Sequence, residues 1–288
     1  MLSVSMIVKN EESCLRDCLE SVKEADEIVI VDTGSSDRTV EIAKEYTDKV
    51  YYGDEYLWRD DFSFSRNQSL DKCSGDWVLT IDADETIEAD GIKKIKELIK
   101  DTKEQAIFVN VKGKNGGSVH KSIRLFKKGN IKWKGQIHNY LSVNEGGKID
   151  VTIEYGYSDA HKKDPDRALR ILSKVVKENP SCIREKYYLA REHWYRKDFK
   201  QALYYYDYYL ETATWSPEMA DAYLMKGYCY WNLGEIEKAK DNTLQAIKIT
   251  ADFKEAFILM SKLSGPKNKE RWLKLSEICN NEDVLFIR

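Results

Sequence analysis

Apolar positions follow two different rules along this chain, and the change from one to the other divides it. In the first half, short apolar runs alternate with stretches where apolar residues recur every three or four positions. Residues 2–8 are apolar and β-branched and read as a first strand. Leu15, Leu19 and Val22, after Asn10-Glu11-Glu12-Ser13, have helical spacing. Glu27-Ile28-Val29-Ile30-Val31-Asp32 and Trp77-Val78-Leu79-Thr80-Ile81-Asp82 are apolar runs ending in an acid, as expected of buried parallel strands. Thr33-Gly34-Ser35-Ser36-Asp37 is a turn and helix start, and Val40 and Ala43 carry that helix inward. Val50-Tyr51-Tyr52 is a third strand, and 63–73 a helix stopped by Ser74-Gly75. Ile92, Ile95 and Ile99 predict another helix, and 106–111 and 122–126 two more strands. This alternation implies an open, mostly parallel α/β sheet with helices on both faces. Such sheets bind ligands beyond the carboxyl ends of their strands, where Asp32 and Asp82 both fall.

After about residue 160 the pattern is helical only, and it repeats. Ala168, Leu172, Val175 and Pro180 stand at offsets 0, 4, 7 and 12. Ala202, Tyr206 and Tyr209 repeat the first three positions 34 residues on, and Ala239, Thr243 and Ala246 repeat them 37 residues further. Tyr223, Gly227 and Tyr230 give the large-small-large spacing of a tetratricopeptide first helix, and 34 residues is that repeat's period. The expected division is therefore 1–160 and 161–288. About two full repeats are too few to close a core alone, so the array is expected to pack on the first domain, on a second copy of itself, or on both. Eleven of the 18 tyrosines lie between Tyr187 and Tyr230. They read either as an aromatic core or as a binding or dimer surface.

Composition narrows the function. The 288 residues carry a net charge of −3, without the basic excess of a nucleic-acid binder. No apolar run reaches the roughly 18–20 residues of a membrane span. The first residues lack a basic region and a small-residue cleavage site, so they read as a strand rather than a leader. Six scattered cysteines with no C-x-x-C pair read as reduced thiols of a cytoplasmic protein.

The chemistry concentrates at Ile81-Asp82-Ala83-Asp84-Glu85. Two carboxylates flank one small residue at the end of a buried strand. Such oxygen ligands suit magnesium or manganese, which would neutralise charge on a departing nucleoside diphosphate.

Four segments in order resemble the successive motifs of glycosyltransferase family 2, over residues 1 to about 140. They are Ser3 to Glu12, Ile30 to Thr39, Phe64-Ser65-Arg66-Asn67 and Asp82-Ala83-Asp84-Glu85. The resemblance implies a GT-A fold (Rossmann-like) followed by an all-α tetratricopeptide-like array. It implies inverting transfer from a nucleotide-sugar, commonly UDP-linked, to a glycan or a protein or peptide acceptor. It places Ile7, Lys9 and Glu11 in the nucleoside pocket, Asp32 at the base, Arg66 at the diphosphate or donor sugar, and Asp82 at the ribose or metal. Asp84 would bind the metal, with His138 as a third ligand or a diphosphate contact. Arg124-Leu125-Phe126 and 133–139 resemble the acceptor-side segment.

Two departures bear on the general base. Asn139 follows His138 where many relatives have an acid, and an amide cannot serve as a base. Glu154 stands before Tyr155-Gly156-Tyr157 where many relatives have a histidine, with His161 beyond. Glu85, Glu145 and Glu154 are the candidate bases. A thiol acceptor would need less base help, because it ionises more readily. The competing reading is a weak or inactive nucleotide-sugar-binding scaffold that recruits partners through its array. A nucleotidyltransferase would show a Gly-rich basic loop after the first strand, where this chain has Lys9-Asn10-Glu11-Glu12.

Overall fold

The structure, a computed structural model, describes residues 1–114, 116, 119–156 and 164–279. Tyr157 and His161 lie outside the described residues. The chain divides into two compact units, Met1–Arg167 and Ala168–Arg288.

The first unit is built on one eight-stranded sheet. In chain order its elements are β1 (Leu2–Val8), α1 (Leu15–Val22), β2 (Glu27–Asp32), α2 (Thr39–Lys44), β3 (Val50–Tyr51), α3 (Phe62–Lys72), β4 (Trp77–Thr80), β5 (Glu85–Ile87) and α4 (Gly91–Asp101). There follow β6 (Ala106–Gly113), β7 (His120–Lys127), the small pair β8 (Trp133–Lys134) and β9 (Tyr140–Leu141), and β10 (Gly147–Tyr155). The sheet order is β3-β2-β1-β4-β7-β6-β10-β5. Four of its seven pairings are parallel: β3 with β2, β2 with β1, β1 with β4, and β6 with β10. Beyond β4 the sheet becomes mixed, because β7 enters antiparallel between β4 and β6.

Both faces are covered, as the unbroken apolar runs require. Ile28 and Ile30 of β2, with Trp77 and Leu79 of β4, pack into one core with α1, α2 and α4. Val29 and Val78 point the other way, into a core with Leu70 of α3, Trp133 and Phe126. The loops that follow β1, β2 and β4 thus emerge side by side at the carboxyl ends of these strands.

Helix α5 (Arg167–Glu178) starts on the last residue of the first unit, and the second unit is helical: the rest of α5, then α6 (Arg184–Tyr195), α7 (Phe199–Leu210), α8 (Ser216–Asn232), α9 (Ile236–Ile249), α10 (Lys254–Leu263) and α11 (Pro266–Glu277). The repeat positions Ala202, Tyr206, Tyr209, Ala239, Thr243 and Ala246 are all buried. Gly227 of α8 shows why the repeat needs a small residue there. A Cβ on it would stand 2.5 Å from Thr243 Oγ1 and 3.3 Å from the Ala239 carbonyl. The tyrosines split between the two readings. Tyr187, Tyr206 and Tyr209 form a core, whereas Tyr195 and Tyr204 are more than half exposed.

Candidate functional site

The loops after β1 and β2 are laced together by the short polar residues that mark them in the sequence. Asn10 adopts a left-handed conformation (φ 58°), which asparagine tolerates better than most residues. Its N–H donates to Ser35 Oγ at 2.8 Å, and its Oδ1 accepts from the Ser36 N–H at 2.8 Å. The Glu11 N–H donates to Thr39 Oγ1 at 2.7 Å. Asp32 is buried and turned back on its own loop, accepting from the N–H groups of Gly34 and Ser35 at 3.0 and 2.9 Å and from the Ser35 hydroxyl. In this structure its carboxylate shapes the turn.

Arg66 is projected by α3, whose Asp61 cap accepts from the Phe64 N–H at 2.8 Å. Asn67 clasps the Trp133 backbone, donating to its carbonyl at 3.0 Å and accepting from its N–H at 2.9 Å. The Arg66 guanidinium therefore lies over the Trp133 ring, 4.9 Å from its centroid. From there it donates to Asp82 Oδ1 at 2.7 Å. Arg124, on β7, reaches the other Asp82 oxygen at 3.9 Å and binds Glu85 Oε1 at 2.6 Å. Glu85 Oε2 accepts the Asp82 N–H at 2.8 Å. Both arginines keep an enclosed Nε without a hydrogen-bond partner among the described residues.

Glu85 is buried, and burial pushes its carboxyl above the usual range while Arg124 pulls it back. Both of its oxygens are engaged, so it braces the Asp82 turn and has none free for an acceptor. Asp84 differs: it is half-buried, and its carboxylate makes no hydrogen bond or ion pair among the described residues.

A cleft of about 230 Å³ lies over these groups. It brings together six sequence-predicted residues: Ile7, Lys9, Glu11, Arg66, Asp82 and Asp84. It adds Trp58, Phe62, Asp164 and Arg167, which the motifs do not reach. The clustered aromatics of Trp58-Arg59-Asp60-Asp61-Phe62, in an otherwise polar stretch, were the available signal for the first two. Asp32 borders the cleft through its neighbour Thr33. The other candidates lie off its walls. His138 is exposed with a φ of 49°, Glu145 is exposed, and Glu154 pairs with Lys112 at 2.8 Å. Asn139 has an enclosed Nδ2 with no acceptor among the described residues.

Among the described residues no three His, Cys, Asp or Glu side chains converge as a metal cage. The cleft instead offers one unpaired carboxylate beside one held by arginine. That set suits a hard cation such as magnesium, which keeps waters and takes phosphate oxygens from its substrate. The thiols nearby are poor ligands. Burial and the Glu11 and Asp84 carboxylates push Cys14 up to about 12, and burial raises Cys18 well above its usual range.

The profile described as glycosyl transferase family 2 matches residues 3–156, and a tetratricopeptide repeat profile matches 220–253. The chain is 28% identical over 145 residues to the SPbeta prophage-derived glycosyltransferase SunS of Bacillus subtilis, covering 48% of this chain and 34% of that one. It is 47% identical over 87 residues to a TPR repeat-containing protein of Synechococcus elongatus, covering 30% of this chain and 21% of that one. The matches thus span about a fifth to a third of those relatives. The crystal structure of residues 1–349 of S. aureus TarS in complex with UDP overlays with a TM-score of 0.47 at 15% identity, covering 86% of this chain and 91% of that one. No helix among the described residues is long and apolar enough to cross a membrane.

Proposed function

The chain belongs to glycosyl transferase family 2, and from that premise we propose that it is a divalent-metal-dependent glycosyltransferase. Its donor is a nucleoside-diphosphate sugar, with UDP-linked sugars the first candidates, and the transfer inverts the anomeric centre. The acceptor is a glycan or a protein or peptide, bound with help from the repeat array, which also offers a surface for a second copy.

The observation that carries the reading is the unpaired Asp84 carboxylate beside an Asp82 fixed by two arginines. Charge supports it. The cleft lining has three cations, Lys9, Arg66 and Arg167, against four carboxylates, Glu11, Asp82, Asp84 and Asp164, a net of −1 (3 − 4). A diphosphate donor is itself an anion and would be repelled by that lining. A divalent ion reverses the sign, and Asp84 with Asp82 would hold it. When bound it supplies Lewis-acid stabilisation to the leaving diphosphate. The residues of the chain do the positioning. Arg66 and Arg124 fix Asp82, and Glu85 holds the backbone of the acid-bearing turn. The loops after β1 and β2 form the nucleoside wall, with Lys9 and Glu11 at its rim.

The test is release of nucleoside diphosphate from a panel of UDP-, GDP- and dTDP-sugars in manganese, with EDTA controls. Release from one donor, lost with EDTA, supports the reading and names the sugar. Donor binding without release, at any metal concentration, favours the scaffold reading that Asn139 raises.

A further inference from the structure

Arg167 lines the cleft from a segment beyond the last strand of the sheet, outside every motif noted in the sequence. Its guanidinium lies over the ring of Phe62, 5.2 Å from the centroid. That ring is itself fixed in place. The Phe62 N–H donates to the Gln136 carbonyl at 2.9 Å, and the ring meets Trp58 edge to face at 4.6 Å. The Trp58 indole N–H in turn donates to Asp60 at 2.8 Å. A cation held against an aromatic face keeps its in-plane N–H donors available. No carboxylate pairs with Arg167 among the described residues.

The other arginine of the cleft is already committed, bonded to Asp82 and stacked on Trp133. Lys9 is a flexible point charge at an exposed position. Arg167 is thus the pre-oriented guanidinium of the cleft without an anionic partner. Its planar fork matches the paired oxygens of a phosphate.

We propose that Arg167 is a donor-binding residue, oriented by the Phe62 ring, that takes the diphosphate of the nucleotide-sugar; this rests on the donor reading above. It would strengthen ground-state binding and follow the diphosphate as it departs.

The experiment is calorimetric titration of the full chain in magnesium. UDP, GDP and dTDP are compared on the unaltered protein, and the tightest binder is carried forward with its parent nucleoside. Arg167→Gln is expected to weaken the diphosphate about tenfold, the scale of one lost charge-assisted contact, and to leave nucleoside binding and the melting temperature unchanged. Arg167→Lys should fall between, because it keeps the charge and loses the fork. Unchanged diphosphate affinity in Arg167→Gln overturns this inference alone. Equal losses for nucleoside and diphosphate also overturn it, because they mark a general disturbance of the cleft. If the unaltered protein binds none of the three diphosphates, the donor reading falls and this inference with it.

Discussion

Strand β2 carries an acid at each end, and the carboxylate networks at the two edges of its sheet are finished differently. At the amino edge, Glu27 is buried and fully answered by Lys49, the Ser3 hydroxyl, and the N–H and hydroxyl of Ser74, the last two at 2.7 Å. Burial alone would raise its carboxyl, but these partners outweigh it and bring it down to about 2. At the carboxyl edge, Asp82 and Glu85 are as closely held, yet the network stops short. Two arginine Nε atoms have no partner among the described residues, and Asp84 is unpaired. A buried polar network with every group satisfied stabilises a fold. Here the carboxylate left over, Asp84, lines the cleft and has capacity for a further partner. The comparison separates residues that look alike in sequence, since all of these acids sit at strand ends.

Substitutions can break this contrast. The largest effect is expected from Asp84→Asn, which should lower metal-dependent nucleoside diphosphate release at least about a hundredfold with no change in melting temperature. Retained turnover would remove Asp84 from the site. Arg124→Lys should cost about tenfold in turnover, because a point charge cannot serve Glu85 and Asp82 together. Steady-state kinetics on the same donor would check it. Glu27→Gln should do the opposite: turnover unchanged, but about 2 kcal/mol of stability lost at neutral pH, measured by denaturant unfolding.

The same residue gives a pH signature. Its folded value of about 2 lies below the ordinary 4.5, so its contribution is complete above about pH 4.5 and is lost as the pH falls towards 2. Unfolding curves across that window should be flatter in Glu27→Gln than in the unaltered chain. The smallest effect belongs to Glu154→Ala. It breaks a surface pair with Lys112 and should shift stability by no more than about 0.5 kcal/mol. Unchanged turnover in that variant would leave Glu154 as a surface residue rather than the base.

What the sequence discloses here follows from locality. β1, β2 and β4 are legible because burial on both faces forces unbroken apolar runs, and the acids closing two of them stand out. The loop polar residues from Asn10 to Thr39 are legible as a motif, and their hydrogen bonds explain it. Arg124 is different: it lies 39 positions from Glu85, and only the antiparallel entry of β7 beside β4 brings the two together. β10 alternates Ile149, Val151 and Ile153 with Lys148, Asp150 and Thr152, so its strand signal is present but diluted by a polar face. β5 has only three residues and exists through its pairing with β10. The roles expected of Glu85, a base by position, and of Asp32, a base-pocket acceptor, depend on which oxygens are free. Side-chain geometry decides that, and no spacing rule encodes it.

Gly156 closes β10 by donating its N–H to the Asp84 carbonyl at 2.8 Å, and a side chain there would crowd that oxygen at 3.1 Å. The acid-bearing turn is therefore fastened by one of the last residues of its own domain. On a ribosome, which delivers the chain from its amino end, the acids emerge long before their fastener. The residues of β1, β2 and β4, and Arg66, Glu85 and Arg124, which brace the turn, are made first, and this last backbone tie waits for Gly156. A chain halted before that point would therefore lack both this backbone tie and the last residues of the cleft lining, Asp164 and Arg167.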